Sequence, residues 1–319
     1  MNFILRRIVI ALITMFLVSF SCFLAFSVIK GDAASVIGGT SMSSELLSQL
    51  REEMGLNRNV FSRYFDWLFK FLSGNPGNSL RYQGQAISGL ISERLPVSFS
   101  LAILSFLFIL LLAIPFSLFT VRKEADISDR FVNFLTAVGI STPGFFLGLL
   151  FIFIFGYIFN LFTPGQYTGY RENFSGFLRC IFFPALAIAV PNAAIMVKFL
   201  RASLFQELKS DYVRTAKSKG AGSLYILYHH VLKNAVIPVI TILGMIIAEV
   251  LSGSVVIEMV FSIPGTGRLL ITAITSRDYP LIQALMVYIA FIVVAANTLA
   301  DIVIMIIDPR IRMAKKEIQ

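Results

Sequence analysis

Six long apolar stretches constrain this chain more than any other feature, because a bilayer core takes roughly 20 helical residues per crossing and tolerates no unpaired backbone. They are Ile8–Ile29, Val97–Thr120, Phe131–Phe162, Ile181–Val197, Ala235–Ile257 and Leu281–Ile307. The third is too long for one straight crossing and contains Pro143-Gly144, so a break is expected inside it. The fourth is short, and Lys198 at its end can reach the interface along its own methylenes. The expected fold is therefore all-α and integral to a membrane, with six transmembrane helices.

Charge then sets the sidedness. Of the 319 residues 57% are hydrophobic and only 14% charged, against about 25% charged in soluble domains. The net charge of +9 is not gathered on the basic face of a soluble fold, which argues against a nucleic-acid partner. It falls instead in alternate connections. Arg6, Arg7, Arg122, Lys123, Arg130, the cluster from Lys198 to Lys233, and Arg310, Arg312, Lys315 and Lys316 lie on one side, with only Arg171, Arg179, Arg268 and Arg277 in the short loops opposite. By the positive-inside bias both termini are expected in the cytoplasm. Arg6 and Arg7 could open a signal peptide, but the run behind them exceeds the usual apolar core of roughly 7–15 residues and reads as an anchor. Cys22 follows Ser19-Phe20-Ser21, a poor match to a lipoprotein cleavage site. Cys22 and Cys180 have no metal-type spacing and read as packing residues.

Four regions follow: a cytoplasmic N-terminus and first crossing (1–29), an outer loop (30–96), a five-crossing core (97–307) and a cytoplasmic tail (308–319). The outer loop is expected to be structured. Leu46, Leu47, Leu50 and Met54 recur at helical spacing in Ser43–Gly55, as do Phe65, Leu68, Phe69 and Leu72 in Phe61–Leu72. These helices either lie on the bilayer or help to dock an external partner; the two readings are compatible. After the fifth crossing, Phe261–Arg268 is broken by Pro264 and Gly265, a helix is expected over Leu269–Thr275, and Asp278 is placed to cap the sixth crossing.

Segment 210–238, between the fourth and fifth crossings, is the polar exception. Ser210 can cap, Asp211 suits the positive helix end, Lys217 and Lys219 suit the last turn, and Gly220 can terminate. A helix this short needs a groove to rest in. A second helix is expected after Ser223, with Leu224, Leu227 and Val231 on one stripe, leading to Pro238. A solvated basic loop obeying charge bias is the plainer alternative.

Asp211-Tyr212-Val213-Arg214-Thr215-Ala216-Lys217-Ser218-Lys219-Gly220, followed by Lys233-Asn234-Ala235-Val236-Ile237-Pro238, resembles the coupling segment of permease subunits of binding-protein-dependent ABC importers. The oligopeptide, dipeptide and nickel branch is the nearest match. The general pattern has Glu-Ala-Ala, three residues, then Gly; here Arg214 stands in place of the Glu. Leu50–Arg58, Glu93–Pro96, Ser141–Phe146, Glu258–Arg268, Arg277–Pro280 and Asp308–Arg312 resemble further segments of the branch, in order along nearly the whole chain. The resemblance implies a MetI-like permease of a bacterial inner membrane, importing peptides, with nickel or oligosaccharides as alternatives. It implies a homologous second permease in a heterodimer, two cytosolic ATPases that use ATP and Mg, an external solute-binding protein, and no cofactor on this chain. It also assigns ATPase coupling to Asp211, Tyr212, Arg214, Thr215, Ala216, Lys217 and Gly220.

Pathway or gate residues are sought among costly intramembrane groups and backbone breaks: Pro143, Glu249, Glu258, Pro264, Gly265, Arg268 and Asp301. Asn297 and Asp301 could equally staple helices together. His229 and His230, adjacent and expected to point apart, have no other ligand at metal spacing, and no nucleophile has a base nearby. No Gly-x-x-x-x-Gly-Lys loop is present, so the energy source is expected on another polypeptide. The rival classes are an ion-coupled carrier with inverted repeats, for which no second half matching the Pro143 break is evident, and an intramembrane enzyme, which lacks a catalytic cluster.

Overall fold

The computed structural model describes residues 3–28, 45–46, 58–122 and 127–307. The expected helix over Ser43–Gly55 and the tail 308–319 fall largely or wholly outside them. The described chain is helical, with one isolated antiparallel bridge between Asn78 and Ala86. In chain order the helices are α1 (Phe3–Val28), α2 (Val60–Leu72), α3 (Ile87–Arg122), α4 (Ile127–Ser141), α5 (Gly144–Phe151), α6 (Phe174–Leu208), α7 (Asp211–Ser218), α8 (Ser223–Ile226), α9 (Leu232–Val260), α10 (Thr266–Thr275) and α11 (Tyr279–Ile307). π-helical segments extend α5 through Ile152–Ile158 and join α8 to α9 through Leu227–Val231.

Among the described residues five helices are long and apolar enough to cross a membrane by themselves, and the α4–α5 pair, bent by 99° at its break, makes a sixth if the pair is one broken span. The break is where Pro143-Gly144 required it. Pro143 is extended, at φ −62 and ψ 141, and α5 restarts directly after it. The fourth crossing is not short: α6 runs 35 residues, carries Pro184 and Pro191 inside it, and includes Lys198. Charged residues end the apolar run in the sequence without ending the helix, because Lys and Arg are good helix formers.

The chain forms two compact units, whose boundaries fall inside α3, in the turn between α9 and α10, and inside α11. In the first, residues 1–98 and 264–295, the core gathers Ile87, Leu90 and Ile91 of α3, Leu269 and Ala273 of α10, and Leu281, Ile282, Ala284 and Leu285 of α11. α2 packs on α1 through Tyr64, which is fully buried.

In the second unit, residues 99–263 and 296–319, α6 is the central helix, and α4, α5 and α9 pack against it. Small residues set the spacing. A Cβ built on Gly139 would lie 2.8 Å from Ala194 Cβ, one on Gly144 3.1 Å from the Ala187 carbonyl oxygen, and one on Gly148 3.0 Å from the Phe261 ring. Gly144 and Gly148 form a Gly-x-x-x-Gly pair, the pattern by which membrane helices approach backbone to backbone. Pro191 has no N–H for the carbonyl four residues earlier, and that carbonyl, Ala187, is the one Gly144 approaches.

Candidate functional site: the α6–α9 connection and the α9–α11 turn

α7 begins where α6 ends. Val213, 1% exposed, is its buried anchor, whereas Asp211, Arg214, Thr215, Lys217 and Lys219 are exposed and Ala216 half-buried. Ser210 holds the N-cap position with φ −70 and ψ 154, but its side chain does not cap. Its Oγ donates instead to the Glu207 carbonyl, closing the turn out of α6. The other end is as expected: Gly220 takes φ +82, with Ala221 N–H donating to the Ala216 carbonyl at 3.1 Å and Gly220 N–H to that of Lys217 at 2.9 Å. This is the glycine-terminated helix end in which a left-handed residue satisfies the last carbonyls.

Tyr212 ties the short helix to its neighbours. Its hydroxyl donates to Glu207 Oε2 at 2.7 Å and also meets Asn234, at the start of α9. Burial pushes the phenol above its ordinary pKa and the Glu207 bond adds to this, while hydrogen bonds with Asn234 and Ser210 pull the other way. Nearby, Ser203 Oγ donates to the Ala235 carbonyl at 2.8 Å, joining α6 to α9. Arg214 and Asp211 lie 3.7 Å apart with both side chains open to solvent, a geometry that contributes little to stability.

The helix after Gly222 differs from the expected stripe. Leu227 and Val231 are buried, but Leu224, in the first turn of α8, is 56% exposed. The π segment lets both His229 and His230 approach the Tyr225 ring, at 4.4 and 5.6 Å, rather than pointing fully apart. Among the described residues no cluster of three or more His, Cys, Asp or Glu could hold a metal. Cys22 and Cys180 are free thiols.

The intramembrane candidates do not form one group. Glu249 and Glu258 are nine residues apart on α9, half a turn out of phase and about 13 Å apart along the axis. Glu249 is exposed and Glu258 fully buried. Pro143 sits at the α4–α5 break and Asp301, half-buried, on α11. Pro264, Gly265 and Arg268 belong to the other unit.

The α9–α11 turn is fixed by local caps, Asp278 among them as expected, and by partners distant in sequence. α9 stops with Ser262 at φ +57 and Ile263 N–H donating to the Glu258 carbonyl at 2.8 Å. Thr266 N–H, at the start of α10, donates to Ser98 Oγ of α3 at 2.8 Å. Asp278, fully buried, accepts from Leu281 N–H at 3.3 Å as an α11 cap, and also from Ser79 Oγ and from Arg81 N–H. Asn192 carries no sequence signal either. It is 5% exposed on α6, donates Nδ2 to the Ile188 carbonyl, and leaves Oδ1 without a partner among the described groups.

Residues 113–313 match the family of binding-protein-dependent transport system inner membrane components, and residues 1–102 match the N-terminal part described for such membrane components. The chain belongs to this family, and is thus a multi-pass membrane permease and one component of a larger transport system. It is 34% identical over 311 residues, 97% of its own length and 99% of the other, to a probable peptide ABC transporter permease protein of Sinorhizobium fredii. A putative peptide transport system permease protein of Brucella abortus is also 34% identical, over 97% of this chain and 98% of that one. The oligopeptide transport system permease protein AppB of Bacillus subtilis is 32% identical, with the same coverage.

Proposed function

We propose that this chain is the membrane-spanning subunit of an importer for peptides, worked by separate cytosolic ATPases through α7. The observation that carries the coupling role is the build of that helix. It is anchored by Val213 and by Tyr212 to Glu207, ended by Gly220, and presents Asp211, Arg214, Thr215 and Lys217 outward. A polar surface held at the junction of two crossings transmits a push to both α6 and α9. ATP and Mg would be used on the partner ATPases. A homologous second permease and an external binding protein complete the assembly, with both termini cytoplasmic in a bacterial inner membrane, as the basic connections favour. Peptides are preferred over nickel or oligosaccharides because the near full-length relatives carry peptide names.

The pathway is proposed to run beside the α4–α5 break and α9, with Pro143, Glu249, Glu258 and Asp301 along it, while Pro264, Gly265 and Arg268 remain gate candidates in their own unit. Exposed Glu249 is the residue best placed to face water or a peptide ammonium, since an acid inside a crossing is costly elsewhere. The test is reconstitution with the partner permease, ATPases and binding protein in proteoliposomes. Uptake of a labelled peptide should require ATP and stop when the ATPases are inactivated. Uptake by this chain alone, or uptake persisting with dead ATPases, would overturn the reading in favour of a secondary carrier.

A further inference from the structure

α2 has three faces. Tyr64, Trp67 and Phe71 form the first; Tyr64 and Trp67 contact α1, and Trp67 packs on Phe71. Arg63, Asp66 and Lys70 make a second, polar face. Phe61, Phe65, Phe69 and Leu72 make a third, entirely apolar, and all four are exposed. A long exposed aromatic stripe beside a face packed through Tyr64 calls for an occupant.

Contacts with α1 fix how deep this helix lies. The α1 crossing is Leu5–Ser27, so Phe16 marks its midpoint. At 1.5 Å per residue, Phe20 lies about 6 Å and Phe23 about 10 Å beyond it, inside the roughly 15 Å half-thickness of the hydrocarbon. Tilting α1 only brings them closer to the midplane. The Tyr64 ring meets Phe16, Phe20 and Phe23 at 5.8, 5.1 and 5.5 Å, and its hydroxyl bonds to Ser19 at 2.7 Å. Tyr64 therefore sits at the depth of Phe20, where a phenol without a partner would be costly and Ser19 supplies one. Phe61 stacks on Phe20 at 5.5 Å, so the exposed stripe continues the exposed apolar surface of α1, formed by Leu12, Ile13, Phe16, Leu17 and Leu24. A water-soluble partner could reach the stripe only by entering hydrocarbon.

We infer that α2 is submerged in the outer leaflet, with Phe61, Phe65, Phe69 and Leu72 against lipid acyl chains. Lys70 carries its charge up towards the headgroups along its methylene stem, and the Arg63 guanidinium lies over the Phe23 ring, 5.8 Å from its centroid. Which leaflet is occupied rests on the orientation proposed above; burial in hydrocarbon does not.

Trp67 is the chain's single tryptophan, so its fluorescence reports on α2 alone. The full chain, purified and reconstituted into phosphatidylcholine brominated at mid-chain carbons, should lose most of its tryptophan emission relative to unbrominated lipid, while aqueous acrylamide has little effect. Moving the probe onto the stripe, with Phe69→Trp in a Trp67→Phe background, should strengthen the bromolipid quenching, because Phe69 is 70% exposed. Quenching by acrylamide and not by bromolipid would put α2 above the membrane and overturn the inference. Protection of the Phe69→Trp probe from both quenchers would also overturn it, by showing the stripe covered with protein. Loss of ATP-driven uptake would leave this readout unchanged, so the two readings fail separately.

Discussion

At Gly139 the room a side chain needs is already filled by Ala194, with 2.8 Å between the two Cβ positions. Gly139→Leu should therefore overpack the α4–α6 contact and cost about 1–3 kcal/mol, seen as a lower melting temperature of the purified protein. Gly89, where an added Cβ would meet nothing within 4 Å, is the control, and Gly89→Ala should not lower the melting temperature, since alanine is the better helix former. Asp278→Ala should do more harm, because the hydroxyl of Ser79 and the amides of Arg81 and Leu281 lose their common acceptor. That change is expected to cost on the order of 3 kcal/mol, whereas Asp278→Asn, which keeps one acceptor oxygen, should cost less. Melting curves of the two variants side by side check the order. These contacts mark the limit of reading from sequence. Asp278 is legible as a cap, since its helix follows directly, but Ser79 is 199 positions away and Ser98 is 168 positions from Thr266. No local spacing encodes a partner at that distance. Gly144 and Gly148 are different: their four-residue interval is visible in the sequence, and only the helices they approach require coordinates.

Among the elements, α7 is the most legible. Its acid at the start, lysine near the end and terminal glycine are local signals, and the helix obeys them from Asp211 to Ser218. Gly220→Pro should break its end, because proline holds φ near −65° where this residue sits at +82°. ATP hydrolysis by the assembled transporter should persist while peptide uptake falls, and unchanged uptake would count against a coupling role. Arg214→Glu should have the same signature. Tyr212 adds a pH dependence. Its phenol is raised above the usual tyrosine value of about 10, so the protonated form is the one the folded state favours. The associated stability is complete below that ordinary value and is lost as pH rises through the higher folded-state value. Tyr212→Phe should melt earlier than the wild type at neutral pH, by about 1 kcal/mol, and the gap should narrow in alkaline buffer. The π segments are not legible, because an extra residue in a helical turn follows from tertiary packing and has no residue code.

For the whole molecule, the apolar runs locate the long apolar helices but not their extents. Hydropathy ends where charge begins, whereas α3 at 36 residues and α6 at 35 run on past the hydrocarbon as helix. The proposed orientation is open to reporter fusions. A phosphatase active only outside the cytoplasm should be silent when fused after the α7 turn and active after the α10 turn; the reverse pattern would invert the topology. The bond between Asp278 and Ser79 also bears on how the protein is made. Ribosomes add about 5–20 residues per second, so the early half of this clasp waits roughly 10–40 s for its mate to be synthesised, given the 199-residue separation. A nascent polypeptide stalled before residue 278 therefore cannot close this clasp.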